Sequence, residues 1–148
     1  MIRTAAAEDL ARLAPLAQQF YASSRFLREF DIQKFEAFWT GLIASGMGVI
    51  FVLEDGGAIA GTIGGLAYAE PYSGELLAQE FFWFVDEAQR GQGIRLYRRF
   101  EQWAREKGCA EVRMGHLADS MPAKVAAFYE RVGYTKVETL YAKRLREE

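Results

Sequence analysis

One short segment of this chain combines residue types that can bind an anionic ligand. It reads Arg90-Gly91-Gln92-Gly93-Ile94 and lies between an apolar run, residues 81–85, and a stretch with helical periodicity. Glycines let a backbone approach a ligand closely, and the first-turn N–H groups of a helix favour negative charge through the helix dipole. The segment therefore predicts a binding site for a phosphate or pyrophosphate group.

Three more types of glycine-containing turn must be weighed against this prediction. A P-loop requires Gly-Lys followed by Ser or Thr, but Gly93 is followed by Ile94 and Arg95. A dinucleotide-binding turn requires a third glycine where Leu96 stands, and a parallel βαβ unit around it. A plain strand-to-helix connection, in which the glycines serve only the turn, stays open when this segment is considered alone.

The elements that must position this turn alternate between helical and strand periodicity. Helices are predicted over residues 8–21 with a kink at Pro15, from Asp31 to Gly46, from the glycine segment to Gly108, and over 122–132. Strands are predicted at residues 2–3, 49–53, 58–66, 80–85, 111–117 and, as a strand or hairpin, 134–145. An Asp-Gly-Gly turn at 55–57 predicts an antiparallel hairpin. This order predicts an α/β (α+β) sandwich on a largely antiparallel sheet.

Composition limits the class of protein. With 148 residues, 51% of them hydrophobic, the chain is expected to fold as one domain, residues 1–148. The net charge of −2 gives no broad electrostatic surface for nucleic acid, although residues 90–105 are locally basic. A local basic patch suits a small anionic ligand better.

Cysteine content and hydropathy bear on the compartment. Cys109 is the only cysteine, so an intramolecular disulfide and a zinc site built on paired cysteines are both excluded. The start of the chain lacks the apolar core of a signal peptide, and no run approaches the ~20 apolar residues of a membrane span. A soluble, cytoplasmic protein without a membrane partner is expected.

The order of these features resembles the GNAT superfamily of acetyl-CoA-dependent N-acetyltransferases over nearly the whole chain. The family's Arg/Gln-x-x-Gly-x-Gly/Ala motif matches residues 90–95, except that Arg95 stands at the Gly/Ala position. The second family signature, a helix with a Tyr, three spacers, a Gly and an aromatic, matches Phe128 to Tyr134. The resemblance implies a mixed, mostly antiparallel central sheet of six to seven strands flanked by about four helices.

The resemblance also implies an activity and its ligands: direct transfer of an acetyl group from acetyl-CoA, without a metal, to a primary amine of a small molecule or protein. Tyr129 occupies the family's general-acid position, where a phenol can protonate the departing thiolate. The positions implied to contact CoA are Phe84, Val85, Arg90, Gly91, Gln92, Gly93, Ile94, Arg95 and Tyr129. Arg95 would either point into solvent or bind a CoA phosphate. The Asn common before the family's Tyr, whose position the resemblance associates with a contact to the CoA arm, is absent from residues 120–124.

The general base has two candidates. Glu80 starts the strand where some relatives place a catalytic glutamate, and strand alternation could turn it toward the cleft. His116, the single histidine, falls near the end of the next predicted strand, and an ordinary imidazole titrates near ~6.5. A bound water chain is the third alternative.

The acceptor site is the least specified part of the sequence. In similar proteins it is formed by the first helices, the hairpin and the C-terminal strands, which supply Phe20, Tyr21, Phe26, Phe30, Tyr68, Tyr72 and Tyr141. These rings could form a pocket for an apolar or aromatic amine, or they could serve the core or a homodimer interface, and Phe20 and Phe30 are assigned to this second alternative. Three alternatives to an enzyme stay open: a non-catalytic acyl-CoA-binding or regulatory domain, an interaction domain without ligand, and a nucleotide-binding module.

Overall fold

The computed structural model describes residues 1–118 and 122–146, and one five-stranded sheet organises them. Its strands, in both chain and spatial order, are β1 (Ile2–Thr4), β2 (Gly48–Asp55), β3 (Ala58–Ala69), β4 (Leu76–Val85) and β5 (Glu111–Arg113). The helices are α1 (Asp9–Ala22), α2 (Ile32–Ser45), α3 (Gly93–Glu106) and α4 (Pro122–Arg131), and a 3-10 turn spans Glu87–Gln92. Neighbouring strands are antiparallel except β4 and β5, which are parallel. The predicted mixed sheet flanked by four helices is confirmed.

The number of strands differs from the prediction of six to seven. Residues 134–146 form no strand or hairpin, so the described sheet has five strands. β5 also ends at Arg113 rather than near residue 117. A strand-like segment becomes a strand only where a neighbour offers backbone partners along its length. β5 contributes only three residues to the sheet, and none of the described strands pairs with residues 134–146.

Helix α1 continues through Pro15, so the predicted split of this helix is wrong. A proline inside a helix costs about 3 kcal/mol through its missing hydrogen bond and its ring clash. The opposite face of α1 buries Leu10, Leu13 and Leu16, and each fully buried leucine contributes roughly 1.5–3 kcal/mol. Burial of this face therefore outweighs the local cost, and the exposed position of Pro15 leaves the packed face intact.

The local signals for the hairpin and for α2 are confirmed. β2 and β3 are joined through Gly56 and Gly57, whose φ angles of 58° and 82° are those that a tight hairpin turn requires. The side chain of Asp31 accepts a hydrogen bond from the N–H of Lys34 at 3.0 Å, which caps α2. The helix ends at Gly46 in the left-handed conformation.

Two hydrophobic clusters lie on opposite faces of the sheet. Helices α1 and α2 cover one face, where Trp39 packs with Ile50, Val52 and Phe82. Helix α3 covers the other face, where its side chains pack against the alternate residues of β2 and β3, with Phe51, Ile63, Leu96 and Phe100 all fully buried. The interior strand β2 is therefore apolar on both faces, as its continuous hydrophobic sequence predicts.

A register shift in β4 positions the site. β3 residues Gly64 and Gly65 pair with Phe82 and Glu80, so Phe81 is an extra, bulged residue. Beyond this bulge β4 loses its other neighbour, because β5 pairs only with residues 77–79. Residues 80–85 of β4 consequently have an open edge on the side of β5.

None of the helices in the described ranges has the length and apolar character that crossing a lipid bilayer requires.

Candidate active site

The glycine segment lies where β4 meets α3, as predicted, although it does not enter the helix directly. Arg90 to Gln92 belong to the 3-10 turn, and Gly93 is the first residue of α3. The indole Nε1 of Trp83 donates a hydrogen bond to the Gly93 carbonyl at 3.1 Å, which fixes the start of the helix against β4. The Gln92 side chain, at the N-cap position, forms no cap hydrogen bond with α3, whereas the Gly93 N–H donates to the Arg90 carbonyl within the preceding turn.

The two glycines of this segment serve different purposes. A Cβ on Gly93 would lie 3.3 Å from Cγ2 of Val85, so glycine permits the close contact between helix and strand. A Cβ on Gly91 would meet no atom of the described residues within 4 Å, and the φ of Gly91 is not positive. The space beside Gly91 is therefore open toward solvent, where a ligand could approach the backbone.

Arg95, which departs from the family motif, is exposed and folds back over the turn. Its Nη1 donates a hydrogen bond to Oε1 of Gln92 at 2.7 Å. The structure thus places the guanidinium beside the glycine segment rather than away from it. Ile94 is also exposed on the outer side of the first turn.

The open edge of β4 presents backbone polar groups beside α3. The N–H of Asp86 donates to the Ala60 carbonyl at 2.8 Å, toward β3. Because N–H groups alternate in direction along an antiparallel strand, that of Val85 is expected to point away from β3, into the gap left by β5. Phe84, the residue before Val85, turns its ring to α1, where it meets Phe20 edge-on with centroids 5.8 Å apart.

Glu80 and Tyr129, two of the three predicted catalytic residues, bind the same residue at the end of this gap. Oε1 of Glu80 accepts a hydrogen bond from the Gly115 N–H at 3.0 Å. The hydroxyl of Tyr129 donates to the Gly115 carbonyl at 2.5 Å. The register of β4 and the C-terminal half of α4 therefore direct both side chains to one peptide segment.

Burial shifts the titration of both groups. Desolvation raises the pKa of Glu80 to about 7, although the hydrogen bond from Gly115 partly opposes the shift. Burial raises the pKa of Tyr129 above its ordinary value, and the nearby charge of Glu80 adds to this shift. At neutral pH Tyr129 is therefore protonated, and Glu80 is divided between its two forms.

His116 does not join this pair. It follows Gly115 directly, but its side chain is exposed, and its Nδ1 lies 3.3 Å from the Leu117 carbonyl oxygen. Its role as a base stays a prediction. Ser120 and Met121, in the segment where the family's Asn is absent, lie outside the described residues.

An aromatic cluster holds Tyr129 in place. Its ring lies 6.4 Å from that of Trp83 and 5.7 Å from that of Tyr134, while Phe128 contacts Tyr97 edge-on at 5.3 Å. The carboxylate of Glu101 accepts hydrogen bonds from the hydroxyls of Tyr97 and Tyr134. Neither Gly115 nor the anchoring role of Trp83 was predicted, because neither contact has a local sequence signal.

A cavity lies on the α1–α2 side of the molecule. It is open, has a volume of about 450 Å³, and its lining includes Tyr21, Phe26, Phe30 and Arg28. Phe30, assigned from the sequence to the core or a dimer interface, lines this cavity, whereas Phe20 packs against the core beside Phe84. Of the other predicted pocket residues, Tyr68 donates a hydrogen bond from its hydroxyl to the side-chain oxygen of Gln79. Tyr72 and Tyr141 are exposed.

The described ranges contain no group of three or more His, Cys, Asp or Glu side chains that could hold a metal ion. The polar groups at the β4–β5 gap are instead backbone amides, one carboxylate and one phenol, which suit proton transfer and binding of a polar ligand.

Comparison with known proteins gives the class that this fold and site define. The model of the acetyltransferase (GNAT) family matches residues 10–134, and the chain belongs to this family of acetyltransferases. The family predicted from the two motifs is confirmed.

Individual relatives agree with the family. The chain is 34% identical over 91 residues to "Probable N-acetyltransferase family 8 member 5" of Mus musculus, covering 60% of this chain and 39% of the relative. It is 42% identical over 88 residues to "N-acetyltransferase 8" of Rattus norvegicus, covering 58% and 39%. The match thus spans about two fifths of the length of these relatives. Among solved structures, a "predicted acetyltransferase with acetyl-CoA" from Clostridium acetobutylicum has a TM-score of 0.79 at 15% identity, covering 98% of this chain and 96% of that one.

Proposed function

We propose that this protein transfers an acetyl group from acetyl-CoA directly to a primary amine of a small molecule or peptide. The observation that carries the proposal is the convergence of Glu80 and Tyr129 on Gly115, beside the gap between β4 and β5. A carboxylate that titrates near neutrality and a phenol that stays protonated are the base and the acid that this reaction needs.

The glycine segment and the open strand edge are the proposed site for acetyl-CoA. The uncapped first turn of α3, with the open space beside Gly91, suits a pyrophosphate, and Arg90 and Arg95 add positive charge. The gap along residues 80–85 is several strand residues long. Its unpaired backbone groups on β4 can hydrogen-bond an extended, amide-containing chain. The N–H of Val85, which is expected to point into this gap, is the proposed donor to the thioester carbonyl or to the oxyanion that forms from it.

Glu80 is the proposed base. An alkyl amine with a pKa near ~10.4 is mostly protonated at pH 7 and must lose a proton to attack a thioester. A carboxylate with a pKa of about 7 is a stronger base than an ordinary glutamate and is still largely ionised near pH 7.5. The proton passes to Glu80 directly or through a water molecule.

Tyr129 is the proposed acid. When the tetrahedral intermediate collapses, the carbon–sulfur bond breaks, the electron pair goes to sulfur, and the thiolate takes a proton. The hydroxyl of Tyr129 can deliver this proton after it leaves the Gly115 carbonyl. The amine nitrogen has then gained the acetyl group, and the proton it lost before the attack is on Glu80, which releases it to solvent. The second proton, which the nitrogen loses once the carbon–nitrogen bond has formed, passes through water to the Tyr129 phenolate and restores its hydroxyl.

A second candidate function, acyl-CoA binding without catalysis, is favoured by the same hydrogen bond. The Tyr129 hydroxyl donates a hydrogen bond to the Gly115 carbonyl at 2.5 Å. A protein that kept this hydrogen bond after binding acetyl-CoA would have no acid to protonate the thiolate and would not release thiol. The two candidates differ in whether thiol is released.

Binding is tested by thermal unfolding of the full chain with acetyl-CoA, CoA, ATP and NAD. A ligand at ~100 times its dissociation constant stabilises the folded state by about 2.7 kcal/mol, a shift of several degrees for a domain of this size. A shift with acetyl-CoA and CoA alone supports the proposed site. No shift at saturating acetyl-CoA would overturn both candidates.

Transfer is tested by thiol release from acetyl-CoA with a panel of aliphatic amines, aromatic amines and peptide N-termini, and by mass of the product. An acetylated amine formed in step with thiol establishes the enzyme. Binding of acetyl-CoA without product from any of these amines supports the non-catalytic candidate, and thiol release without acetylated amine indicates simple hydrolysis.

A further inference from the structure

One tryptophan of strand β4, Trp83, contacts both the glycine segment and the residue proposed as the acid. Its indole N–H donates a hydrogen bond to the Gly93 carbonyl at 3.1 Å, and its ring lies 6.4 Å from that of Tyr129. A Cβ on Gly93 would lie 3.6 Å from the indole Nε1, so the indole also packs directly over this residue. Trp83 thus joins the first residue of α3 to a side chain of α4.

The position of Tyr129 depends on the rings around it. The structure describes every residue of α4, and Tyr129 is the buried one among them. Among the described residues its ring neighbours are Trp83, Phe128 and Tyr134, with centroids 6.4, 6.0 and 5.7 Å away. Phe128 belongs to the same helix, and Tyr134 follows that helix closely, whereas Trp83 comes from the sheet. Trp83 is therefore the ring contact that fixes Tyr129 relative to β4.

The indole of Trp83 also lies where α3 and α4 meet. Its ring is 6.0 Å from that of Tyr97 on α3 and 6.0 Å from that of Phe128 on α4. Closely packed rings have few alternative arrangements, so a displacement of one ring is transmitted to its neighbours. The hydrogen bond to the Gly93 carbonyl adds a direction that packing alone does not supply.

A second tryptophan, Trp103, provides a contrast. Both indoles pack against the same hydrophobic cluster beneath α3 and both are partly buried. Trp103 stacks on Phe100, with ring centroids 5.6 Å apart. Within the described ranges, no side-chain hydrogen bond or ring contact joins Trp103 to Gly93 or Tyr129. Trp103 serves the core, whereas Trp83 serves the core and connects two parts of the candidate site.

On the basis of the proposed function, we propose that Trp83 is the positioning residue of Tyr129. It sets where the Tyr129 hydroxyl lies relative to acetyl-CoA bound at the glycine segment, and it does not itself touch the reacting atoms. Transfer of a proton requires hydrogen-bond reach, about 2.6–3.2 Å between heavy atoms, and a misplacement of about 1 Å can cost 100-fold in rate. Loss of the Trp83 indole therefore slows thiol release more than it weakens binding.

The kinetics of Trp83→Phe in the full chain are the first test. This variant keeps a ring and removes the N–H, and kcat is expected to fall about tenfold. The dissociation constant of acetyl-CoA is expected to change less than about threefold, because the backbone and the arginines of the glycine segment are unchanged. A thioester of a more acidic thiol needs less help from an acid, so the variant and the unmodified chain should differ by about twofold or less with it. Trp103→Phe is the matched control and should behave like the unmodified chain.

A double variant separates positioning from general damage to the fold. If Trp83 acts through the Tyr129 hydroxyl, Trp83→Phe has no further effect once that hydroxyl is gone, and Trp83→Phe/Tyr129→Phe turns over like Tyr129→Phe alone. Losses that multiply instead overturn the proposal, as does an unchanged kcat in Trp83→Phe or an equal loss in Trp103→Phe. Unchanged turnover in Tyr129→Phe is a separate result, because it overturns the proposed acid itself and with it any residue that positions this acid.

Fluorine NMR of the chain labelled with 3-fluorotyrosine gives a readout that does not require turnover. The signal missing in Tyr129→Phe assigns the resonance of Tyr129. Saturating CoA is expected to shift this resonance in the unmodified chain and in Trp103→Phe, and to shift it at most half as far in Trp83→Phe. Circular dichroism checks the fold of each variant, and Trp83→Tyr, which keeps more of the ring's length, replaces Trp83→Phe where that variant is unfolded. Equal shifts in all three proteins, or no shift in the unmodified chain, overturn the proposal.

Discussion

Glu80 and Tyr129 form hydrogen bonds with the two backbone polar groups of one residue, Gly115. Glu80 accepts from its N–H, and Tyr129 donates to its carbonyl. The charge on Glu80 is one of the causes that raise the pKa of Tyr129, after burial. Protonation of Glu80 removes this contribution, so the pKa of Tyr129 falls. In the proposed reaction, proton uptake by Glu80 would therefore make Tyr129 a better proton donor for the step that follows.

The pH dependence of turnover tests the role of Glu80. Because its pKa is raised to about 7 by desolvation, turnover with saturating acetyl-CoA is expected to rise with pH through that value and then level off. Glu80→Gln is expected to lower the plateau about 100-fold and to remove the inflection. Glu75→Gln, an exposed carboxyl on the loop before β4, is the control and should leave the profile unchanged. An inflection near pH 7 that persists in Glu80→Gln would assign the base to another group.

The same carboxyl makes a separate prediction about stability. Since folding raises the pKa of Glu80 above its ordinary value, the folded chain holds a proton that the unfolded chain has already released between about pH 4.5 and 7. The contribution of Glu80 to the free energy of unfolding is full below that window and is lost as pH rises through it. Urea unfolding at several pH values should therefore show that the free energy of unfolding declines less with rising pH for Glu80→Gln than for the unmodified chain. A decline of equal size in both proteins would mean that Glu80 is well solvated.

Removal of the Tyr129 hydroxyl should affect turnover far more than binding. Tyr129→Phe keeps the ring in its aromatic cluster and is expected to lower turnover about 100-fold, with little change in acetyl-CoA affinity. Tyr97→Phe, which removes another buried hydroxyl of the same cluster, is the matched control and should retain turnover. Equal losses in the two variants would indicate that the hydroxyls act only through packing. A thioester with a more acidic leaving thiol should recover part of the loss in Tyr129→Phe.

How much of the fold was predictable depended on the range of each interaction. The hairpin turn, the Asp31 cap and the Gly46 stop were predictable, because each depends on residues within a few positions of one another. The glycine segment was placed correctly between strand and helix, and its family motif gave the class of protein. The bulge at Phe81 was not predictable, since it arises from pairing with Gly64 and Gly65, across the hairpin.

The site shows the same division. Tyr129 and Glu80 were candidates from separate motifs, but their common partner Gly115 is distant from both in sequence and has no pattern of its own. Residues 134–145 have a strand-like, apolar pattern, yet no described strand pairs with them. Periodicity gives the preference of a segment and does not specify its partner.

The glycine segment can be tested without disturbing the fold. Gly91→Ala places a methyl group in open space where the backbone is proposed to approach the pyrophosphate, and about tenfold weaker binding of acetyl-CoA is expected. The melting temperature without ligand should change little, because no atom of the described residues lies within 4 Å of the new Cβ. Gly41→Ala, on α2 with equally open surroundings, is the control and should bind acetyl-CoA normally. Unchanged affinity in Gly91→Ala, measured by calorimetry, would place the phosphates elsewhere.

The buried carboxylate of Asp9 links strand β1 to helix α1 through hydrogen bonds. Both oxygens of Asp9 accept hydrogen bonds from Arg3, at 2.7 and 2.8 Å, and one also accepts from the Ala6 N–H at 2.8 Å. These hydrogen bonds hold the pKa of Asp9 well below its usual value, and the bond from Arg3 contributes more than the bond from Ala6. Asp9→Asn leaves Arg3 with its partner Glu54 but loses the bidentate pair.

The expected cost of Asp9→Asn is about 2 kcal/mol in the free energy of unfolding, below the 3–5 kcal/mol of a fully buried pair because Arg3 is partly exposed. Since folding lowers the pKa of Asp9, its contribution is present above the ordinary value near ~3.9 and is lost as the pH falls further. Urea unfolding at pH 7 and near pH 3 should therefore show a gap between Asp9→Asn and the unmodified chain that narrows in acid. Glu8→Gln, which changes the exposed carboxyl next to it, is the control and should show almost no gap at either pH. If the gap were equally large at both pH values, the charge of Asp9 would not be its cause.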